Sequence, residues 1–258
     1  MSDKSKEIVL IGIGEIGGVL AKGFLRLGYT IHPVTRDMRM EEKAKQLPNP
    51  ALVVVAVGEA DLPAVLTELP DNWRSRVGLL QNELLPGDWR ETHNPTVISI
   101  WFEKKPGMDP KVIIPSPVFG PQAALIEDAL QQVNIPSKVL ADEAQLLFEL
   151  VTKNLYILTT NLAGLKTGGN VAELWQNHQS FAESVAREVI QLQQVLTGQS
   201  LDAEALIDAM LEAFDGDPQH KCMGRSAPAR LERALAHARQ HGLTLPQLLN
   251  LEQTLATA

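Results

Sequence analysis

Ile8-Val9-Leu10-Ile11-Gly12-Ile13-Gly14-Glu15-Ile16-Gly17-Gly18 is the stretch on which the reading of this chain turns. Residues Ile8–Ile11 are a continuous apolar run, the pattern of a strand covered on both faces. The run stops at a glycine, and Gly12, Gly14 and Gly17 fit the spacing G-x-G-x-x-G. A lone match to that spacing is weak, and a glycine-rich turn with no ligand is the competing reading. Here the match follows a first strand, opens a first helix and is followed by a second strand. Each glycine then has a steric reason. Gly12 permits the tight turn, Gly14 lets the backbone approach a pyrophosphate, and Gly17 lets helix and strand pack closely. Unpaired amides at the helix start would hold the phosphates. Gly12, Ile13, Gly14, Glu15, Ile16 and Gly17 are therefore candidate cofactor-binding residues.

Outward from that loop, the first half alternates β-branched runs with helical segments. Strands are predicted at Glu7–Ile11, Tyr29–Thr35, Ala51–Val57, Val77–Leu80, Thr96–Trp101, Lys111–Ile114 and Ser137–Leu140. Helices are predicted at Ile16–Leu27, Leu62–Leu69 and Gln122–Gln132. This is an α/β pattern, a Rossmann-type doubly wound sheet. From Asp142 onward no strand stands out. Asp142 and Gln145 read as an N-cap and its box partner. Leu146, Leu150, Val151, Leu155, Leu158 and Leu162 then recur at helical spacing. Gly168-Gly169 interrupts. A long helix over Val171–Leu196 ends at Gly198, and shorter ones follow at Ala203–Phe214, Ala229–His241 and Leu245–Leu255. The expected division is a nucleotide-binding domain over 1–141 and an all-α domain over 142–258 for substrate and dimerisation.

Composition narrows the function. The 258 residues carry a net charge of −8, which speaks against nucleic acid or an anionic membrane as the main partner. The single Cys222 excludes an internal disulfide framework and suggests a reducing compartment. One Cys and six scattered His do not suggest a metal site. The opening MSDKSKEIVL has no small-residue cleavage site and reads as no signal peptide. The most apolar helical stretch, between Lys153 and Lys166, contains Asn and Thr and is too short to span a bilayer. A cytoplasmic protein is expected.

The end of the second strand bears on which dinucleotide would bind. A chain selecting NADH usually places Asp or Glu there, against the ribose 2′-hydroxyl. Here the strand ends Pro33-Val34-Thr35-Arg36-Asp37. Thr35 stands where the acid is expected, and the Arg36 guanidinium is suited to a 2′-phosphate and to stacking on adenine. NADPH is the expected cofactor, with Thr35 and Arg36 added to its site. Asp37 can pair with Arg36 or contact the ribose, and Arg36 can also be read as a surface residue at a strand end.

With these residues in hand, the chain resembles the 6-phosphogluconate dehydrogenase superfamily. Within it the chain is similar to the ketopantoate reductase (2-dehydropantoate 2-reductase) family. The glycine loop and Arg36 match that family's NADPH site. Gln81-Asn82-Glu83 resembles its Gln-Asn-Gly segment, whose Asn lies beside nicotinamide and substrate. Lys153 matches its catalytic Lys, and Asn161 the second of two helix Asn residues. Gly224-Arg225-Ser226 and His241-Gly242-Leu243-Thr244-Leu245-Pro246 resemble its closing segment. Departures are equally specific. Ile157 stands where the family has the first helix Asn, Pro228 where it has Glu, and Cys222-Met223 where it has Ser-Met. Val57-Gly58-Glu59 lacks the usual Lys.

The resemblance implies NADPH-dependent reduction of a small 2-oxo acid or related carbonyl. Lys153 would be the acid, a role that a lysine ammonium facing a cleft can fill. Asn82 and Asn161 would orient substrate oxygens. Lys153 and Asn161 are about two turns apart on one side of a helix. Ile157 between them implies a weaker grip on a polar substrate, or a more apolar substrate. Two alternatives remain open: a catalytically impaired NADP-binding sensor or partner-binding protein, and a prephenate dehydrogenase-like enzyme. The second is suggested by Ser116-Pro117-Val118-Phe119-Gly120-Pro121, which otherwise reads as a rigid loop at the domain edge. Cys222 reads as an idle thiol, and the long apolar helical faces suit a homodimer.

Overall fold

The computed structural model describes residues 5–256. Residues 1–4, which open the stretch read for a leader segment, and residues 257–258 lie outside the described residues. The chain divides into two units between Glu149 and Leu150, within a helix.

In the first unit, the predicted parallel sheet forms from β1 (Glu7–Ile11), β2 (Thr30–Val34), β3 (Leu52–Val55), β4 (Val77–Leu79) and β5 (Thr96–Ile98). The order runs β2-β1-β3-β4-β5, with each neighbouring pair parallel. The continuous runs are buried as expected: Ile8–Ile11 and Leu52–Val55 are no more than 4% exposed. Helices α1 (Glu15–Arg26), α2 (Met40–Gln46) and α3 (Leu62–Thr67) connect the first four strands. From β1 the chain goes to β2 on one side, and β3 then returns to pair on the other side of β1. That reversal opens a crevice at the carboxyl ends of β1 and β3.

Two readings of this half need correction. The strand expected over Thr96–Trp101 stops at Ile98. Phe102–Glu103 is a separate strand, β6, which pairs antiparallel with β7 (Lys111–Val112) in a two-stranded sheet of its own. The segment Ser116–Pro121, read as a rigid edge loop, begins with β8 (Ser116–Phe119), inside the large sheet. β8 lies antiparallel to β5 and parallel to β9 (Ser137–Val139). Pro117 disguised it, because proline removes a ladder donor. The register with β5 ends at Ile98↔Val118, and there Pro117 contributes its carbonyl, which accepts from the Ser99 amide at 2.9 Å. Between β8 and β9 runs α4 (Ala123–Gln131). α1 packs on α4 so closely that a Cβ added at Gly23 would lie 2.1 Å from the Ala129 carbonyl oxygen. Met40–Gln46 shows no helical period in the sequence because Ala44 is its single buried residue.

The other unit is helical. Helix α5 (Glu143–Thr167) starts in the first unit and supplies the second with its first element. Asp142 accepts from the Gln145 amide at 2.8 Å, the expected cap. All six leucine and valine positions read as its apolar stripe are buried, each stabilising by about 1.5–3 kcal/mol. Gly168 and Gly169, at φ +64° and +73°, end the helix. α6 (Val171–Thr197) opens on an Asn170–Glu173 capping box, kinks at His178 and closes on the left-handed Gly198. α7 (Ala203–Gly216), α8 (Ala227–Gln240) and α9 (Pro246–Ala256) all pack on α6. The buried Glu188 of α6 accepts the Gln247 and Leu248 amides, at 2.7 and 3.0 Å, and so caps α9 from a neighbouring helix. Among the described residues, no helix is long and apolar enough to cross a membrane.

Candidate nucleotide-binding site

The carboxyl ends of β1, β2, β3 and β4 fall on one edge of the sheet, because the strands are parallel. Onto that edge come Gly12–Gly14 after β1, Thr35 and Arg36 after β2, Val57 after β3 and Asn82 after β4. A cleft of about 610 Å³ opens there, a size ordinary for a small-molecule or cofactor site. Gly12, Ile13, Gly14, Thr35 and Arg36 line it. Its apolar walls include Met38, Met40 and Val65, which the sequence reading did not include. Ile13 and Met38 are about half exposed, at 53% and 50%. Bulky apolar side chains left open to water in one cleft suit the face of an aromatic base.

The three loop glycines differ in why they are glycine. Gly12 has φ +87°, and a Cβ there would sit 2.7 Å from the Ala56 carbonyl oxygen. A Cβ on Gly17 would sit 2.8 Å from the Gly12 carbonyl oxygen. Both are needed by the protein's own packing. Gly14 is not: its backbone is extended, at φ −80° and ψ −173°, and a Cβ there meets nothing within 4 Å. A Cβ there would meet no neighbour, yet Gly14 lines the cleft directly before the first turn of α1. The first amides of that turn have no partner within the helix. A cradle that a side chain would fill, walled by apolar groups and an arginine, fits a dinucleotide.

Other predicted loop residues serve the protein itself. The Glu15 carboxylate accepts from Lys104 Nζ at 2.9 Å, and Ile16 packs on the sheet core. Arg36, 92% exposed, donates to Asp61 at 3.0 Å and not to its neighbour Asp37. Pairs this exposed contribute about 0–1 kcal/mol, so a ligand can exchange with either partner. Gln81 is buried and ties two strand ends together, donating to the carbonyls of Val55 at 2.7 Å and Val57 at 3.3 Å. It holds the turn that carries Asn82. Asn82 is half-buried and outside the cleft lining. Glu83 follows at φ +59°, the left-handed conformation that explains why a glycine suits this position.

In the second unit, Lys153, Ile157 and Asn161 fall on one face of α5. Lys153 is half-buried, with its Nζ 6.0 Å from the Tyr156 ring centre. Ile157 and Asn161 are buried. The Asn161 Oδ1 accepts from Arg230 Nη1 at 2.8 Å, a partner that spacing could not reveal. Cys222 is fully buried, and burial pushes its thiol up to about 11, with the Glu173 carboxylate adding to the shift. That agrees with an idle thiol.

No family model and no curated protein matches the chain. Solved structures do. The 2-dehydropantoate 2-reductase of Methylococcus capsulatus is 11% identical and matches 97% of this chain and 96% of its own, at a TM-score of 0.69. The dimeric ketopantoate reductase of Staphylococcus aureus is 16% identical, over 97% and 98%, at 0.66. A D-mandelate dehydrogenase solved with NADH and anilino(oxo)acetate is 14% identical, over 96% of each chain, at 0.64. At such identities the likeness is one of fold, and the fold of this chain is that of the ketopantoate reductases.

Proposed function

We propose that the chain is an NADPH-dependent reductase of a small 2-oxo acid or a related carbonyl, a cytoplasmic enzyme built as a nucleotide half over 1–141 and a substrate and dimerisation half over 142–258. The observation that carries this reading is Gly14, a glycine that neither backbone conformation nor any neighbour demands, at the mouth of a cleft ahead of a helix N-terminus. The fold shared with ketopantoate reductases and a mandelate dehydrogenase supports the choice of chemistry.

A bound reduced nicotinamide supplies hydride. The chain's own residues do the rest. The loop amides and the positive end of α1 hold phosphates. Thr35 and Arg36 receive the adenosine ribose. Lys153 gives a proton to the carbonyl oxygen as negative charge develops there. Asn82 and Asn161 orient substrate oxygens without adding charge. A homodimer accords with the dimeric Staphylococcus aureus neighbour.

A second reading, a dinucleotide-binding sensor without turnover, draws on two features of α5. Ile157 is apolar where the resemblance calls for Asn, and the Asn161 carbonyl is already engaged by Arg230.

Fluorescence titration with NADPH tests the binding claim, using Gly14→Val as the control. A valine fits the extended backbone, so the melting temperature should fall by no more than about 4 °C, the loss of a glycine N-cap included. Affinity should fall by about 100-fold or more as the side chain fills the cradle. Equal binding by both proteins would sink the reading. NADPH oxidation across a panel of 2-oxo acids then separates the reductase from the sensor.

A further inference from the structure

We propose that Asp61 is a specificity-determining residue: it competes with a ribose 2′-phosphate for Arg36 and so narrows the preference of the cleft for NADPH over NADH. The inference rests on the dinucleotide reading of the same cleft and concerns which dinucleotide that cleft prefers.

Three observations carry it. First, the cleft lining holds one guanidinium, Arg36, and two carboxylates, Asp61 and Glu68. Second, Arg36 is already engaged, with its Nη2 3.0 Å from Asp61 Oδ2. Third, the Asp61 carboxylate has no capping duty. Asp61 stands at the N-cap of α3, yet its side chain accepts no amide there. The 3-10 turn Glu59–Asp61, whose Asp61 amide donates to the Gly58 carbonyl at 3.1 Å, aims that carboxylate at the cleft.

The charges decide the consequence. A 2′-phosphate brings up to two negative charges to a guanidinium that a carboxylate already touches. It must displace Asp61 or sit beside it, and like charges a few ångströms apart repel. A 2′-hydroxyl brings no charge and can donate to the same carboxylate. Arg36 thus draws the phosphate in while the Asp61 and Glu68 charges oppose it, and the preference for NADPH is smaller than Arg36 alone would give.

The test is a pair of binding titrations, NADPH and NADH, on the full chain and on Asp61→Asn and Arg36→Ala, read by ligand fluorescence and by ligand-induced thermal shift. Asp61→Asn keeps the shape and removes the charge. It should tighten NADPH by about 2- to 5-fold at low salt and leave NADH unchanged or about 2-fold weaker, with the NADPH gain shrinking as salt rises. Arg36→Ala should weaken NADPH and leave NADH within about 3-fold. If both dinucleotides bind and Asp61→Asn leaves their ratio unmoved, the role of Asp61 is overturned while the cleft stands. If Asp61→Asn weakens NADPH, Asp61 positions Arg36 for the phosphate and competition is overturned. If the unaltered chain binds neither dinucleotide, the reading of the cleft itself falls.

Discussion

The glycine loop of the first unit and the middle turns of α5 in the second both carry residues that suit one chemistry, but they differ in how much of each residue the protein uses for itself. In the loop, Gly12 and Gly17 are accounted for by contacts of 2.7 and 2.8 Å that a side chain would make, while Gly14 has no such account. Exposed Ile13 and Met38 stand in the same cleft. On α5 the balance is reversed. Ile157 is packed away, Asn161 accepts from Arg230, and Thr160 donates to the Tyr156 carbonyl at 2.8 Å. A site for a ligand shows best as features that internal packing leaves unexplained. By that measure the loop speaks for a ligand through structure alone, whereas Lys153 depends on resemblance.

The comparison breaks most decisively at Lys153. If it is the proton donor, Lys153→Ala should lower kcat on whichever 2-oxo acid turns over by about 10²- to 10⁴-fold. If the loop sets NADPH affinity, that affinity should stay within about 2-fold. The measurement is steady-state kinetics beside a binding titration of the same variant. An unchanged kcat would leave α5 without a catalytic role for Lys153.

A smaller effect probes how closed this unit is near α5. A Cβ added at Gly164 would lie 2.8 Å from the Cys222 Cβ, so Cys222 is packed against the helix backbone. Burial raises the thiol to about 11 from an ordinary 9.0. The folded state therefore holds this proton more tightly than the unfolded state. Its contribution to stability is fully present below about pH 9 and is lost as pH rises toward about 11, a fall of about 2–3 kcal/mol. Denaturant unfolding at pH 8 and pH 11 reads it, as the difference between the unaltered chain and Cys222→Ala, which subtracts lysine and tyrosine titration. Equal slopes would mean that solvent reaches the thiol.

Much of this was legible because it is local. Strands β1 and β3 announce themselves as unbroken apolar runs, and Gly12, Gly14 and Gly17 by spacing on a strand-to-helix turn. Asp142 with Gln145, and Gly198, mark helix ends by the same local logic. What stayed hidden depends on the other side of a contact. Pro117 argues against a strand until β5 is seen to end beside it. Asp61 is 25 residues from Arg36 in sequence, and nothing in its neighbourhood predicts that pairing over Asp37. Met38 and Met40 read as ordinary apolar residues until the cleft they wall is known. Arg230 lies 69 residues from Asn161, and helical spacing within α5 is silent about α8.

That last pair offers the finest distinction between the two regions. Arg230→Met keeps much of the stem's length and removes the donor to a buried amide carbonyl. Stability should fall by about 1–3 kcal/mol, the cost of leaving a buried acceptor unmet. Asn161→Leu should cost less in the Arg230→Met background than in the unaltered chain, a coupling of about 1–2 kcal/mol that a double-mutant cycle by urea unfolding measures. The kinetic readout then separates two roles for Asn161. If Arg230 holds Asn161 in place to meet substrate, Arg230→Met raises KM for the 2-oxo acid along with the stability loss. If Asn161 serves the fold alone, stability falls and KM does not move, and the polar stripe on α5 shortens to Lys153.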